Sequence, residues 1–328
     1  MGASIAVSWV NSNVSPALAD MFDEAMVTLA QAPFPLLGIL RAHEAWLANS
    51  TDGRQADLSG VTLNDQDLHG AKLRRAILTG ATLLDSNLSG ADLSGARLEK
   101  ADLQRANLAG ADLTAANLTG AQFGGAWLRS ASLSEATIRD ASFRRAKLDG
   151  AQMLDASVHE TSFVEITAEA MNVHQSRFYE VDWSESSLSL AQFYHARLQH
   201  CRFAGVNASG ASFGGAKIDH CEFSRAVMND VKFMRAEIVQ CVFRDASLRR
   251  VDFRETRLRG GDFSRAILEG ARFAGAQLAT ADFRGANLQG ARELTGEQLI
   301  QSLTDQYTVL PNGSRGPYMR YSGAEKPR

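Results

Sequence analysis

The residues of this sequence with the most reactive side chains stand at one fixed interval. Cys201, Cys221 and Cys241 are twenty residues apart, and His200 and His220 are separated by the same distance. Thiolates act as nucleophiles or metal ligands, and imidazoles bind metals or transfer protons. A shared interval requires an element that returns the chain to the same place every twenty residues.

That element is a five-residue repeat. From Ala56 the chain reads small-x-large-x-x, as in ADLSG, VTLND, QDLHG and AKLRR, and a large apolar residue recurs from Leu58 to Leu288, except at Ala168 and Ala208. In an extended segment the small and large residues face one way and the residue between them faces solvent. The last two residues must then turn the chain, and the frequent glycine at the second of them favours a type II turn.

The long interval indicates how many sides each coil has. Nine aromatic residues stand twenty apart, and five further phenylalanines form a second series offset by ten. In a three-sided coil Phe123 would lie over Ile138, whereas in a four-sided coil it lies over Phe143 and aromatic rests on aromatic throughout. The sequence therefore predicts an all-β solenoid, a quadrilateral β-helix of about twelve coils whose strands stack about 4.8 Å apart. The two series are Phe123, Phe143, Phe163, Trp183, Phe203, Phe223, Phe243, Phe263 and Phe283, and Phe193, Phe213, Phe233, Phe253 and Phe273.

The segments that flank the repeats read as helical caps, and they divide the chain into residues 1–55, 56–291 and 292–328. Ser15-Pro16 predicts the start of one helix, and Leu36 to about Ala48 predicts a second. Near the C-terminus, Thr295 and Gln298 have the spacing of a capping box. We expect an N-terminal helical segment, a central solenoid, and a short capping helix followed by a flexible polar tail.

This geometry decides how the reactive side chains are interpreted. The three cysteines occupy the small inward position, so we expect free, buried thiols. His200 and His220 face outward in a column with Glu160 and Glu180, which is more typical of a solvated surface than of a metal site. A rod filled with apolar side chains has no pocket of converging polar groups. We therefore expect no catalysis, no cofactor and no bound metal.

The most irregular stretch of the repeat spans residues 161–190. Six consecutive units there replace the small alanine, and large apolar or aromatic side chains occupy nearby outward positions. Clusters of exposed apolar side chains mark contact surfaces. One interpretation is a partner-binding patch, and the alternative is a degenerate coil that has widened to fit larger side chains. The predicted patch consists of Leu154, Val164, His174, Tyr179, Leu190 and Tyr194.

The units ADLQRANLAG, ADLTAANLTG and ADFRGANLQG resemble the A-(D/N)-L-x-x pattern of the pentapeptide-repeat family, over residues 56–291. The resemblance implies a right-handed quadrilateral β-helix, in agreement with the four sides inferred above. The flanking sequences RAHEAWLANSTDGRQADLSG and LTGEQLIQSLTDQYTVLP also resemble segments beside such repeats in other bacterial members. Fold alone does not determine function.

Two functions from different classes follow. The first is a non-enzymatic scaffold or adaptor that offers a rigid surface to a protein partner of unknown identity, with a possible link to a bacterial secretion or toxin system. The second is protection or inhibition of a type II topoisomerase (gyrase) by mimicry of DNA, as in the quinolone-resistance members. A DNA mimic requires an acidic surface, and 34 basic residues here nearly balance 37 acidic ones.

The same balance gives no reason to expect binding to nucleic acid or to an anionic membrane. The N-terminus lacks the pattern of a signal peptide, so we expect a cytoplasmic location, with export by a specialised system as the alternative. Contacts between copies of the chain, if they form, are expected through the terminal segments.

Overall fold

The protein is a four-sided parallel β-solenoid in a computed structural model that describes residues 35–327. The sides are numbered here on one coil: side 1 is 121–123, side 2 is 126–128, side 3 is 131–133 and side 4 is 136–138. Equivalent residues recur every twenty positions. The two residues between consecutive sides form a corner, so corner 3/4 of this coil is 134–135.

Each short side pairs with the coils on either side of it through backbone hydrogen bonds. On side 1 the Phe123 amide donates to the Ser142 carbonyl at 2.7 Å, and the Ser142 amide donates to the Ala121 carbonyl at 3.0 Å. At the corner that follows, Gly125 has φ of 67° and the Ala126 amide donates back to the Phe123 carbonyl at 3.0 Å. The β-turn with positive φ at its third residue is the turn that the glycines predicted.

Regular strands occur along side 4, where seven of them form one parallel sheet in sequential order. Their register pairs each residue with the one twenty positions later, as in Thr137 with Ser157. The interval of the aromatic series therefore measures one coil, and the four-sided prediction is confirmed. The strands are β1 Thr137–Arg139, β2 Ser157–His159, β3 Arg177–Tyr179, β4 Arg197–Gln199, β5 Lys217–Asp219, β6 Glu237–Val239 and β7 Arg257–Arg259.

These seven strands define about six turns, fewer than the about twelve coils expected from the repeat count. Elsewhere the coils are joined by single bridged residues, from Asp57 with Ile77 to Arg272 with Arg292, at the same interval. On side 4 the pairing continues past the central residue into the corner, as in Arg139 with His159, and the successive pairs form regular strands. Elsewhere only the central residue of each three-residue side is bridged.

From Phe123 onward the interior contains two aromatic stacks on opposite walls, and leucine and other aliphatic side chains fill the rest of the core. Phe123 and Phe143 lie with ring centroids 4.6 Å apart, and Phe193 and Phe213 are also 4.6 Å apart. The stacks meet edge to face, with Phe193 and Phe203 at 6.1 Å. All fourteen rings are fully buried. Offset and edge-to-face contacts stabilise such rings beyond the area they bury.

Both described ends carry helical caps. Helix α1, Leu36–Leu47, confirms the second predicted helix, and its buried His43 accepts a hydrogen bond from the Ala56 amide at 3.0 Å. Helix α2, Gly296–Ile300, begins at Thr295 with the predicted capping box. The helix predicted from Ser15-Pro16 lies outside the described residues.

The chain after α2 continues two walls of the solenoid before it ends. Leu303 bridges Asp282 and Val309 bridges Asn287, so the last complete coil has paired neighbours on two sides. The polar tail then crosses this cap, where the Tyr318 amide donates to Thr304 Oγ1 at 2.9 Å. The division into three segments, with a flexible tail, remains a prediction.

Candidate partner-binding face

Three of the six residues predicted for the patch share one corner. Leu154, His174 and Tyr194 occupy the first position of corner 3/4 in successive coils. Of the three, only Tyr194 is largely accessible to solvent, with 39 % of its surface exposed, whereas Leu154 and His174 are half-buried. The His174 ring meets the ring of His195 edge to face at 5.7 Å. Tyr194 is therefore the most exposed of the three predicted residues at this corner.

The other three predicted residues lie on three different corners. Leu190 is on corner 2/3, across side 3 from Tyr194, and is 54 % exposed. Tyr179 is on corner 4/1, across side 4, where its ring lies 5.7 Å from that of His200. Val164 is on corner 1/2, half a coil from Tyr194 and diagonally opposite to it. The register thus unites Leu190 and Tyr194 around side 3 and separates Val164 from them.

Leu190 and Tyr194 both lean on glycines of the next coil. A Cβ atom on Gly214 would lie 2.7 Å from Tyr194 Cε1, and one on Gly210 would lie 2.9 Å from Leu190 Cδ2. His195 has the same relation to Gly215, at 2.6 Å. Gly210, Gly214 and Gly215 therefore leave space on the surface of their coil, and the larger side chains of the preceding coil lie in that space.

The structure adds exposed apolar residues that the sequence analysis missed. Met234 continues the corner of Tyr194 two coils further on and is 38 % exposed, and Val227 on side 2 is 40 % exposed. The twenty-residue interval places Tyr194, Gly214 and Met234 at equivalent positions of successive coils, so the sequence could have predicted that Met234 lies at this corner. Trp127, also on side 2, is 52 % exposed, and Lys147 Nζ lies 4.5 Å from the centre of its ring.

Two buried serines alter the corners that carry the irregular units. Ser186 Oγ accepts from the Ile166 amide at 3.1 Å and donates to the Phe163 carbonyl at 2.7 Å, so the hydroxyl stands inside that turn. Ser176 Oγ makes the same pair of bonds with the Ala156 amide and the Met153 carbonyl, at the turn that contains Leu154. Each hydroxyl thus bridges the amide and the carbonyl of its turn. One of these turns contains Leu154, so the irregular units and the predicted patch adjoin each other.

Trp183 is buried in the interior of the irregular coils. Its ring stacks on Phe163 at 4.3 Å but is 6.0 Å from Phe203, the largest separation in the first aromatic series. Its buried Nε1 has no hydrogen-bond acceptor among the described residues. The indole therefore supports the coil below the exposed Leu190 and Tyr194 without being accessible to a partner.

Arginine–carboxylate pairs one coil apart recur on the surface of the solenoid. Arg250 forms two hydrogen bonds to Asp230, at 2.7 and 2.6 Å, and Arg265 binds Asp245 in the same way. In each pair the guanidinium lowers the pKa of the carboxyl group. Because these carboxylates are neutralised in place, they contribute little to any acidic face.

The three cysteines are free and buried, as predicted. Each Sγ lies 3.6 Å from a backbone carbonyl of the preceding coil, those of Phe178, Leu198 and Ile218. Burial raises the pKa of Cys201 and of Cys221. A protonated thiol is a poor nucleophile, and burial of all three side chains in the packed wall gives them a structural role.

The rings of the two outward histidines lie side by side in successive coils, tilted by 33° to one another. His200 and His220 have ring centroids 5.2 Å apart, and His220 Nδ1 lies 2.8 Å from Asp219 Oδ1. Within residues 35–327 the structure holds no group of three or more histidine, cysteine, aspartate or glutamate side chains arranged to bind a metal ion.

The fold and surface define a repeat protein built as a four-sided parallel solenoid. Its sequence matches the family model described as pentapeptide repeats (8 copies) over residues 56–95 and 96–134, and the model described as pentapeptide repeat region over 136–213, 176–248 and 211–292. The chain belongs to the pentapeptide-repeat family. In the part of the chain that the structure describes, no helix has the length and apolar character needed to cross a membrane.

Several solved structures are similar to this chain. HetL, a pentapeptide-repeat protein involved in heterocyst differentiation regulation from Nostoc sp. strain PCC 7120, is 23 % identical, with 83 % of this chain and 96 % of HetL covered and a TM-score of 0.30. A thylakoid-lumen pentapeptide-repeat protein of Arabidopsis thaliana is 31 % identical over 29 % of this chain and 67 % of its own, with a TM-score of 0.29. QnrB1, a plasmid-mediated fluoroquinolone resistance protein, is 19 % identical over 63 % of this chain and 89 % of its own, with a TM-score of 0.36. Among curated proteins, no sequence matches this chain.

Proposed function

We propose that this protein is a non-enzymatic scaffold or adaptor that presents the surface around side 3 to a protein partner. The observation that carries the proposal is the pair Leu190 and Tyr194, which remain exposed at 54 % and 39 % although each is seated on a glycine of the next coil. Rigidly held apolar side chains are the usual anchors of protein interfaces, because little conformational entropy is lost when they are covered.

The solenoid suits this role because its backbone is fixed by hydrogen bonds between coils. Contact residues on a stiff support keep their relative positions before and after binding. We place Leu190, Tyr194 and Met234 at the centre of the contact surface, with Leu154 and His174 beside them. Tyr179 lies at the far edge of side 4, where the neighbouring Glu180 carboxylate raises the pKa of its hydroxyl, so that the phenol remains a proton donor.

The test variant is Tyr194→Glu, and the matched control is Val164→Glu, which also changes the first residue of a corner. The tagged chain, Tyr194→Glu and Val164→Glu are used to capture proteins from a lysate of the organism that encodes it. We expect one protein to be retained by the wild type and by Val164→Glu and to be lost with Tyr194→Glu. Equal retention by all three proteins would refute the proposed face, and loss with Val164→Glu alone would move it to the opposite corner.

The proposal includes a cytoplasmic location and a link to a bacterial secretion or toxin system, of which the link rests on the flanking sequences. The genes that neighbour the coding sequence test the first. DNA mimicry is the less favoured alternative, because arginines pair with surface carboxylates, as Arg250 does with Asp230 and Arg265 with Asp245. A gyrase supercoiling assay separates the two: inhibition or protection by low concentrations of the protein would reverse this order.

A further inference from the structure

Side 4 and its two corners hold an unusual concentration of histidine. Five of the seven histidines of the chain lie there within four consecutive coils, in the ranges 154–160, 174–180, 194–200 and 214–220. None of these five is among the buried residues. They are His159, His174, His195, His200 and His220.

Three cations run along the middle of the same surface. Arg177, Arg197 and Lys217 are paired residue by residue in the register of β3, β4 and β5, so their Cα atoms are about 4.8 Å apart from coil to coil. All three side chains are exposed. Arg177 and Arg197 form no ion pair with any described residue, and Lys217 Nζ lies 4.0 Å from Glu237.

Carboxylates nearly cancel these cations while the histidines are neutral. The four ranges contain four acidic residues against three basic ones, so the surface then has a net charge close to zero. Full protonation of five imidazoles would make it clearly positive. The acidic residues are Asp155, Glu160, Glu180 and Asp219; the adjoining coils add Glu135, Arg139, Asp140, Arg235 and Glu237, and Tyr179 and Tyr194 are the other titratable side chains of the surface.

Imidazole is the common side chain whose charge changes between about pH 5 and pH 8. Aspartate and glutamate remain ionised over most of that range. The histidines therefore decide the sign of this surface. Because His174 and His195 adjoin Tyr194, the change in charge occurs next to the proposed contact residue.

We propose that this surface, named here the histidine face, binds an acidic segment of a partner protein and binds it more tightly as the pH falls from neutral to mildly acidic. The proposal rests on the proposed scaffold function and specifies the chemistry of its partner. At neutral pH the rim carboxylates repel an acidic segment. Protonated imidazoles offset that repulsion and leave Arg177, Arg197 and Lys217 to pair with it.

An acidic protein segment fits this surface better than a nucleic acid does. The row of cations extends over only three coils, about 10 Å, and carboxylates bound it at both ends. A polyanion with a phosphate at every nucleotide needs a longer uninterrupted basic track. The exposed Tyr194 and Met234 at the adjoining corner offer apolar contacts that a protein partner can use.

The test measures fluorescence anisotropy of a labelled oligoaspartate peptide with the full chain at about pH 7.5 and about pH 6, where the peptide stays ionised. Wild type is compared with a variant in which all five histidines are glutamine, and with His69→Gln as the matched control on another corner. Glutamine is compatible with these corners, since Gln175 and Gln240 already occupy equivalent positions with φ of 59° and 49°. Circular dichroism verifies that each variant is folded.

We expect wild type and His69→Gln to bind oligoaspartate about tenfold or more tightly at the lower pH, and the five-glutamine variant to bind weakly at both. Arg177→Gln with Arg197→Gln should weaken binding at the lower pH. Equal binding by the wild type at both pH values, or a full pH response in the five-glutamine variant, would overturn the proposal. So would an oligodeoxythymidylate that binds as tightly as oligoaspartate. If oligoaspartate binding shows none of these effects but Tyr194→Glu still loses the captured protein, the scaffold function stands and only the histidine face is refuted.

Discussion

Replacement of Trp183 by phenylalanine is a quantitative test of how the interior supports the irregular coils. The indole is fully buried, so the loss of part of its ring should cost roughly 1 to 2 kcal/mol. Its Nε1 has no acceptor among the described residues, and a buried unpaired donor costs about 1 to 3 kcal/mol. These two effects have opposite signs. We therefore expect Trp183→Phe to change the free energy of unfolding by no more than about 2 kcal/mol in either direction.

The comparison needs two further variants. Trp183→Ala removes the whole ring and should cost about 3 to 5 kcal/mol. Phe143→Trp introduces an indole where the rings are already 4.6 and 4.7 Å from their neighbours, and overpacking there should cost about 1 to 3 kcal/mol. The three changes distinguish the unpaired donor from a general requirement for tryptophan volume.

The assay is urea unfolding at neutral pH, followed by circular dichroism and compared at a common slope. Adjacent coils stabilise each other, so the transition is first checked with a second probe for the absence of intermediates. A loss of about 3 kcal/mol or more in Trp183→Phe would refute the reasoning, because it would mean that the indole donor is satisfied or that its volume is essential.

Three further predictions concern stability and reactivity. The Arg254 guanidinium lowers the pKa of Asp252 in the folded protein. The ionised carboxyl therefore stabilises the fold fully above its unfolded-state pKa of 3.8, and this contribution is lost as the pH falls through the lower pKa of the folded state. The urea midpoint should be constant from neutral pH to about 5 and decline below about 4. Cys221 should be inert to a thiol reagent in the native protein and react on unfolding, because burial raises its pKa; rapid modification of the native chain would contradict this. Thr295→Ala removes the side-chain acceptor of the capping box and should lower stability by about 0.5 to 2 kcal/mol, whereas Thr295→Ser should have little effect on the melting temperature.

Much of the architecture follows from the sequence because the interior tolerates few alternatives. An inward position must be apolar, and a residue that stacks on its equivalent must recur at the length of one coil. The spacing of Phe123 and Phe143 therefore specified four sides, and Thr295 with Gln298 specified the start of α2. The sequence did not predict which coils form regular strands, because that depends on the local backbone geometry of each three-residue side.

The candidate face was predicted only in part. Outward positions can accept almost any residue, so the sequence showed which side chains were unusual but not which of them share a surface. The coil register united Leu190 and Tyr194, separated Val164, and added Met234. Exposure depends on the neighbouring coil as well, since the absence of a side chain at Gly214 provides the space in which Tyr194 lies.

The sequence by itself determined the repeat, the length of a coil, the buried cysteines and the capping signals, because each is imposed by local backbone conformation or by burial. Tertiary structure alone decided that Ser176 and Ser186 stand inside the turns of the preceding coil, and that five histidines separated by up to 61 positions in the chain border the same three cations. Such relations arise when the coils stack, since stacking brings together outward side chains from successive coils that are far apart in the sequence.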